Sequence, residues 1–165
     1  MGINHCGSIE NRKTGKNFNI DNDFINSALE IHNEFRKNHN AEPLKLNNEL
    51  IVKAKNYAKI LINSSDNFSI FTFNKKPLGE NIYINNSKIN PKDICKKWYK
   101  ESKKYNYNSK KFQKDTLHFT QLIWKGTSEF GFGYISSENK TCAVALYYPP
   151  GNIFNKFDEN IEKPK

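Results

Sequence analysis

The stretch from Asp115 to Tyr134, DTLHFTQLIWKGTSEFGFGY, constrains this chain more than any other. It sets a titratable imidazole at the head of an otherwise core-building run. Alternation predicts a strand from His118 to Trp124, with His118, Thr120, Leu122 and Trp124 on one face. Phe119, Gln121 and Ile123 then take the other. Gly126 and Thr127 read as a turn, and Phe130 to Tyr134 as a second strand. The glycines of that strand let a second backbone, or a ligand, come close. Two readings of His118 stand side by side: a functional imidazole, or a residue that ends a strand and hydrogen-bonds locally.

A chain of 165 residues has room for one domain with a real core. Its net charge of +9 and isoelectric point near 9.4 favour anionic partners, lipid headgroups or nucleic acid. Arginine occurs only at Arg12 and Arg36, whereas base reading relies on arginine's bidentate fork. No zinc-finger, RNP or helix-turn-helix pattern is present, so no nucleic-acid partner is expected. The bland alternative is a solvated lysine surface with no specific partner. Cys6, Cys95 and Cys142 form neither a disulfide framework nor a CxxC site. No apolar run approaches the ~18 residues of a membrane span. The polar N-terminus does not read as a secretory signal, and an intracellular address is expected.

Residues 1–20 read as a flexible arm, residues 21–162 as the folded domain and 163–165 as a tail. Gly2 follows the initiator Met, as N-myristoylation requires, and Cys6 is a candidate for palmitoylation beside it. One acyl chain binds membranes only marginally, and a second chain or a basic surface stabilises the attachment. A first helix is expected over residues 21–39, capped by Asp21, Asn22 or Asp23, with Phe24, Ala28, Ile31 and Phe35 recurring at helical spacing. His32 beside that stripe reads as a core histidine. His39, at the helix end, suits the dipole when protonated. A second helix, about residues 48–62, turns Leu50, Ala54, Tyr57, Ala58 and Leu61 inward.

Glu80 follows a Pro-Leu-Gly turn and precedes the short apolar run 82–84. It reads either as an exposed turn residue or as part of a site. A third helix is capped by Asn90 with Pro91 in its first turn. Ile94, Trp98, Glu101 and Tyr105 then share one face, which places Glu101 in the apolar stripe and off the lysine face. A buried carboxylate is costly unless paired. His118 is the natural partner for Glu101, with Glu80 as a third member. Residues 141–148 read as a buried strand entered through a hairpin turn at 136–140 and stopped by Pro149 and Pro150. The tail beyond is polar, with Phe154 and Phe157 as aromatic anchors.

Several of these stretches together carry a resemblance. His118-Phe-Thr-Gln-Leu-Ile-Trp-Lys-Gly-Thr127 resembles the first signature of the CAP superfamily of cysteine-rich secretory, antigen 5 and pathogenesis-related proteins. Tyr147-Tyr-Pro-Pro-Gly-Asn152 resembles the second. Gly79-Glu80-Asn81, Trp98-Tyr-Lys-Glu101 and His32-Asn-Glu-Phe-Arg36 match as well, in the family's order, and the likeness covers about residues 22–160. The resemblance implies an α+β fold, a three-layer α-β-α sandwich around an antiparallel sheet. The basic charge, the Met-Gly start and the lack of paired cysteines are most similar to the intracellular, Golgi-associated branch. Its members are myristoylated, bind anionic lipid and self-associate.

The family's cavity holds two His and two Glu. Glu80, Glu101 and His118 match three of these, while the loop at Asn67-Phe-Ser-Ile70 carries no histidine where the fourth would stand. The implied zinc site is thereby reduced to a weak divalent site at His118, Glu80 and Glu101, and no cofactor is expected. The resulting expectation is a non-enzymatic protein, peripheral on the cytoplasmic face of anionic, Golgi-type membranes. Sterol, fatty acid or a second copy of the chain are further partners to test. A hydrolase in which His118 and Glu101 orient a water or a Ser, with Ser69 near the position of the missing histidine, is one alternative, though no Gly-x-Ser-x-Gly or HExxH motif supports it. A secreted defence- or venom-like protein is the second alternative. On that reading the Asn-x-Ser/Thr motifs at Asn63, Asn67, Asn85 and Asn139 would become glycosylation acceptors.

Overall fold

The computed structural model describes residues 14–63, 72–73 and 76–165. Gly2, Cys6 and Ser69 lie outside them. Helix α1 runs over Thr14–Asn38, β1 over Lys45–Leu46 and α2 over Asn48–Asn63. A small hairpin follows, β2 Thr72–Phe73 with β3 Lys76–Pro77. Then come β4 Gly79–Asn85, α3 Pro91–Lys100, α4 Leu117–Ile123, β5 Glu129–Ser136, β6 Thr141–Tyr148 and α5 Phe157–Asn160. The main sheet has the order β1-β5-β6-β4, antiparallel except for the short parallel β1–β5 edge.

Alternation along β5 and β6 divides the core in two. Phe130, Phe132, Ala143, Ala145 and Tyr147 meet α1, α3 and α4 on one face. Cys142, Val144 and Leu146 meet Leu50, Ala54, Tyr57, Ala58 and Leu61 of α2 on the other. The result is the expected α-β-α sandwich, and α2 buries the residues its spacing predicted. The glycines of β5 explain how closely α2 lies. A Cβ on Gly131 would stand 2.3 Å from the backbone carbon of Leu50, and one on Gly133 2.3 Å from that of Ala54. The backbone that approaches is therefore α2.

Helix α3 begins as read, with the Asn90 side chain accepting from the Asp93 amide and Pro91 in the first turn. Helix α1 instead reaches back to Thr14, so Asp21, Asn22 and Asp23 are interior residues rather than caps. His39 also departs from its reading. It is 1% exposed, shares hydrogen bonds with the Glu162 carbonyl (2.6 Å) and the Tyr99 hydroxyl (3.0 Å), and burial lowers its pKa. Dehydration here outweighs the helix dipole, which favours the protonated ring. The end of the chain is tied back, as the Lys165 amide donates to the Asn38 carbonyl at 2.9 Å.

The largest departure is α4. His118 to Ile123 is helical, not extended. The two-face alternation has no physical basis here, because every residue from Phe119 to Trp124 is buried. Periodicity distinguishes helix from strand only where one side meets water. Two residues distant in sequence hold the helix. Thr116, at its N-cap position, supplies no side-chain bond. The carboxylate of Glu101 supplies it, accepting from the amides of His118 (3.0 Å) and Phe119 (3.2 Å). At the other end the Arg36 guanidinium donates to the carbonyls of Leu122 (3.1 Å) and Trp124 (2.9 Å). A negative group at the start and a positive group at the end both suit the helix dipole.

Candidate functional site

Glu101 stands just past the last turn of α3, where the chain tightens into a 3-10 turn over Glu101–Lys104. While Oε2 caps α4, Oε1 lies 2.7 Å from His118 Nδ1. The pair is partly open to solvent, the side chains being 22% and 42% exposed. The His118 ring lies nearly parallel to Trp98, centroids 6.1 Å apart, so its plane is fixed by stacking and its azimuth by Glu101. This is an oriented imidazole with one nitrogen committed to a carboxylate.

His118, Glu101 and Glu80 all line one cleft of about 470 Å³, together with Asn81, Lys104, Lys114 and Asn152. Glu80 enters from β4, in register with Leu146 on the sheet face that α2 covers. It also acts on Tyr57, whose hydroxyl pKa is pushed up to about 12 by burial first and by the Glu80 charge second. Among the described residues no three His, Cys, Asp or Glu side chains converge closely enough to hold a metal ion. Glu80, Glu101 and His118 thus share a cleft without forming a three-ligand shell. Among its described lining residues the cleft presents no Ser, Thr or Cys.

Behind the cleft runs a buried polar chain that sequence reading did not foresee. His32 is fully buried and its Nδ1 lies 2.7 Å from the Ala28 carbonyl, which can only accept. Nδ1 therefore carries the proton, and Nε2 accepts from the Tyr147 hydroxyl at 2.8 Å. Asn81 Nδ2 donates both to that hydroxyl (3.1 Å) and to the His118 carbonyl (3.0 Å). Burial, as the leading cause, drives the His32 pKa down to about 3. The signal available in sequence was the placement of His32 beside the apolar stripe, and its reading as a core histidine agrees with this geometry.

The second signature is strapped onto the first. Asn152 donates from Nδ2 to the Leu117 carbonyl (2.9 Å) and accepts on Oδ1 from the Thr120 hydroxyl (2.6 Å). Gln121 accepts from the Gly151 amide at 2.8 Å and fills the space beside Gly79 and Gly151. A Cβ at either glycine would stand within 2.7 Å of the Gln121 amide group.

The helix–strand order, the two-sided sheet and these interlocked stretches coincide with a family match. A model of the cysteine-rich secretory protein family, CAP, matches residues 29–148. The chain belongs to the CAP family. It is 34% identical over 145 residues to the human Golgi-associated plant pathogenesis-related protein 1, covering 86% of this chain and 94% of that one. It is 32% identical over 142 residues to Protein PRY2 of Saccharomyces cerevisiae, covering 84% of this chain and 41% of the yeast protein. Among solved structures, the venom allergen-like protein 4 of Schistosoma mansoni superposes with a TM-score of 0.66 at 22% identity, over 86% of this chain and 94% of that one. That level of identity speaks to the fold alone.

Proposed function

We propose that this CAP protein is a non-enzymatic, peripheral membrane-binding protein that recognises anionic lipid surfaces. One observation carries the reading. Lys97, Lys100, Lys103, Lys104 and Lys114 stand exposed along α3 and the mouth of the cleft, and none has an ion-pair partner among the described residues. On α3 itself Lys92 pairs with Glu30 and Lys96 with Asp93, so the free positive charge gathers towards the C-terminal end of the helix and the turn beyond it. A basic residue close to an acidic leaflet contributes roughly 1 kcal/mol, so this rim alone can hold the protein at such a surface. The excess of positive charge over the whole chain acts in the same direction. Among the described residues no helix is long and apolar enough to cross a membrane.

The finer points follow from the same reading. Acylation at Gly2, with or without Cys6, would convert surface attraction into stable residence, and the Golgi is the membrane suggested by the human relative's name. A sterol or fatty acid, and a second copy of the chain, remain partners within this proposal. Zinc or another divalent ion would bind weakly, because His118 is the single imidazole among the described residues of the cleft and offers one nitrogen donor, Nε2, where zinc favours several. The hydrolase alternative would rest on a water oriented by His118 and Glu101, since the described residues of the cleft include no Ser, Thr or Cys.

Vesicle flotation tests the proposal. Binding to phosphatidylserine-containing vesicles should exceed binding to neutral ones. It should fall steeply as salt rises, because charge attraction is screened beyond ~8–10 Å at physiological ionic strength. Equal binding to acidic and neutral vesicles would remove charge as the cause.

A further inference from the structure

Beyond the second signature the chain makes a tight turn whose apolar residues face outwards. Phe154 was expected to anchor the tail. It is instead 76% exposed, while Phe157 is buried. Ile153 beside it is 46% exposed, and Phe112, from the loop before α4, is 48% exposed. The turn is held by its own backbone. Asn152 and Asn155 both adopt left-handed conformations, φ 56° and 63°, and the Lys156 amide donates to the Ile153 carbonyl at 3.0 Å. The Asn152 side chain is in addition bonded to α4 at Leu117 and Thr120. Phe154 therefore sits at a rigid tip. Nothing in the fold gains from exposing it, since burying a Phe side chain contributes about 1.5–3 kcal/mol.

Around this tip positive charge exceeds negative, even with Asp115 beside Lys114 counted. Phe112 and Phe154 line a shallow hollow with Lys110, Lys111 and Asn155. Lys110 pairs with Asp158 at 2.6 Å, and Lys156 with Glu159 at 2.9 Å. Lys111 and Lys114, flanking Phe112, have no ion-pair partner among the described residues. The tip also adjoins the basic rim, because Asn152 lines the Glu101–His118 cleft alongside Lys104 and Lys114. Aromatic side chains projecting among unpaired lysines match the two layers of an acidic leaflet, headgroup phosphates outside and acyl chains beneath.

We propose that the Ile153–Phe154 turn, together with Phe112, is the point at which the protein inserts into an acidic bilayer, with Lys111 and Lys114 contacting its headgroups. This inference rests on the membrane-binding reading and adds where, and how deep, contact is made. Salt-sensitive attraction by the rim brings the protein to the surface. Insertion of the tip should then leave a component of binding that survives high salt.

Three variants test it with phosphatidylserine-containing vesicles and the full chain. Phe154→Asp should weaken binding about tenfold or more and abolish the salt-resistant fraction. Val52→Asp, at another well-exposed apolar site, on α2 (57%), should leave binding unchanged. In Phe154→Trp the new indole should be quenched by lipids carrying a spin label on the acyl chain, whereas Trp98 and Trp124, 3% and 2% exposed, should not respond. If the wild type binds acidic vesicles but Phe154→Asp binds equally well and the new indole of Phe154→Trp is unquenched, the insertion point is overturned while the membrane reading stands. If the wild type does not bind acidic vesicles at all, both fail. Self-association of the wild type without vesicles, lost in Phe154→Asp, would assign the patch to a second copy of the chain and overturn the bilayer as its occupant.

Discussion

Arg36 offers the sharpest test of how this fold is held together. Its side chain is fully buried, and its partners are all backbone carbonyls: Glu42 at 2.8 Å, Leu122 at 3.1 Å, Trp124 at 2.9 Å and Thr127 at 2.8 Å. Burial lowers the guanidinium pKa to about 10, which leaves it charged at neutral pH. Arg36→Met keeps much of the volume and removes every donor. The Trp124 carbonyl keeps the Thr127 amide at 3.1 Å, and each carbonyl left unpaired costs about 1–3 kcal/mol. Relief of the cation's own burial offsets several kcal/mol of that sum. A net loss of about 3–5 kcal/mol is expected, a large fraction of the ~5–15 kcal/mol by which domains are stable. Melting should fall by roughly 10–15 °C, at about 2–4 °C per kcal/mol for a chain of this size. Arg36→Lys should lose somewhat less, because one ammonium has three donors and cannot reach four acceptors. Urea unfolding followed by circular dichroism gives the difference directly. A loss below about 1 kcal/mol for Arg36→Met would refute the argument that Arg36 holds α4 and the loop after it.

Three further outcomes follow from the same structure. His32 has a depressed pKa, so its contribution is fully present above the unfolded value of 6.5 and is lost as pH falls from 6.5 towards about 3. Unfolding free energy should then drop by about 1.4 kcal/mol per pH unit in that window, with His39 adding in the same direction, and His32→Gln should flatten the slope. Equal slopes in the wild type and His32→Gln would contradict this. Gly133→Ala drives a Cβ to 2.3 Å from the Ala54 backbone and should destabilise by about 3 kcal/mol through displacement of α2, measured by thermal melting. Glu101→Ala removes the cap of α4 and should cost about 1–2 kcal/mol, with faster hydrogen exchange at the His118 and Phe119 amides. Glu101→Gln, which keeps an acceptor, should lose less, and exchange at those amides unchanged in Glu101→Ala would remove the capping role.

Where one side of an element meets water, its character was readable from sequence. Helix α2 buries the five residues that its spacing indicated, and α3 carries the cap and proline expected of it. The β5–β6 hairpin follows its turn and apolar runs. Where burial is complete alternation is silent: β6, buried along nearly its whole length, is legible only from its continuous apolar run, its turn and its prolines, whereas α4 lacks such marks and reads as a strand. The helix is specified by Glu101 and Arg36, which lie far from it in sequence and whose roles no local rule displays. Phe154 failed in the opposite sense. An aromatic in a polar tail is normally an anchor, and only the turn geometry shows it facing outwards.

The residues that carry the family resemblance divide unequally between holding the fold and facing solvent. Gln121, Thr120, Gly151, Asn152, Tyr147, Asn81, His32 and Arg36 are occupied with one another or with backbone groups. Of the family's cavity set in this chain, Glu101 is itself half structural, since one oxygen caps α4 while the other orients His118. A mutation at Glu101 that abolished binding would therefore not show that the carboxylate touches a ligand. The informative positions are those the scaffold does not need: the lysines of the rim, Phe112 and Phe154. Removing their charge or apolar surface disturbs no hydrogen bond of the core. A change in membrane affinity on altering them would therefore test the proposed membrane contact itself, free of any effect on the scaffold that Glu101 and Arg36 maintain.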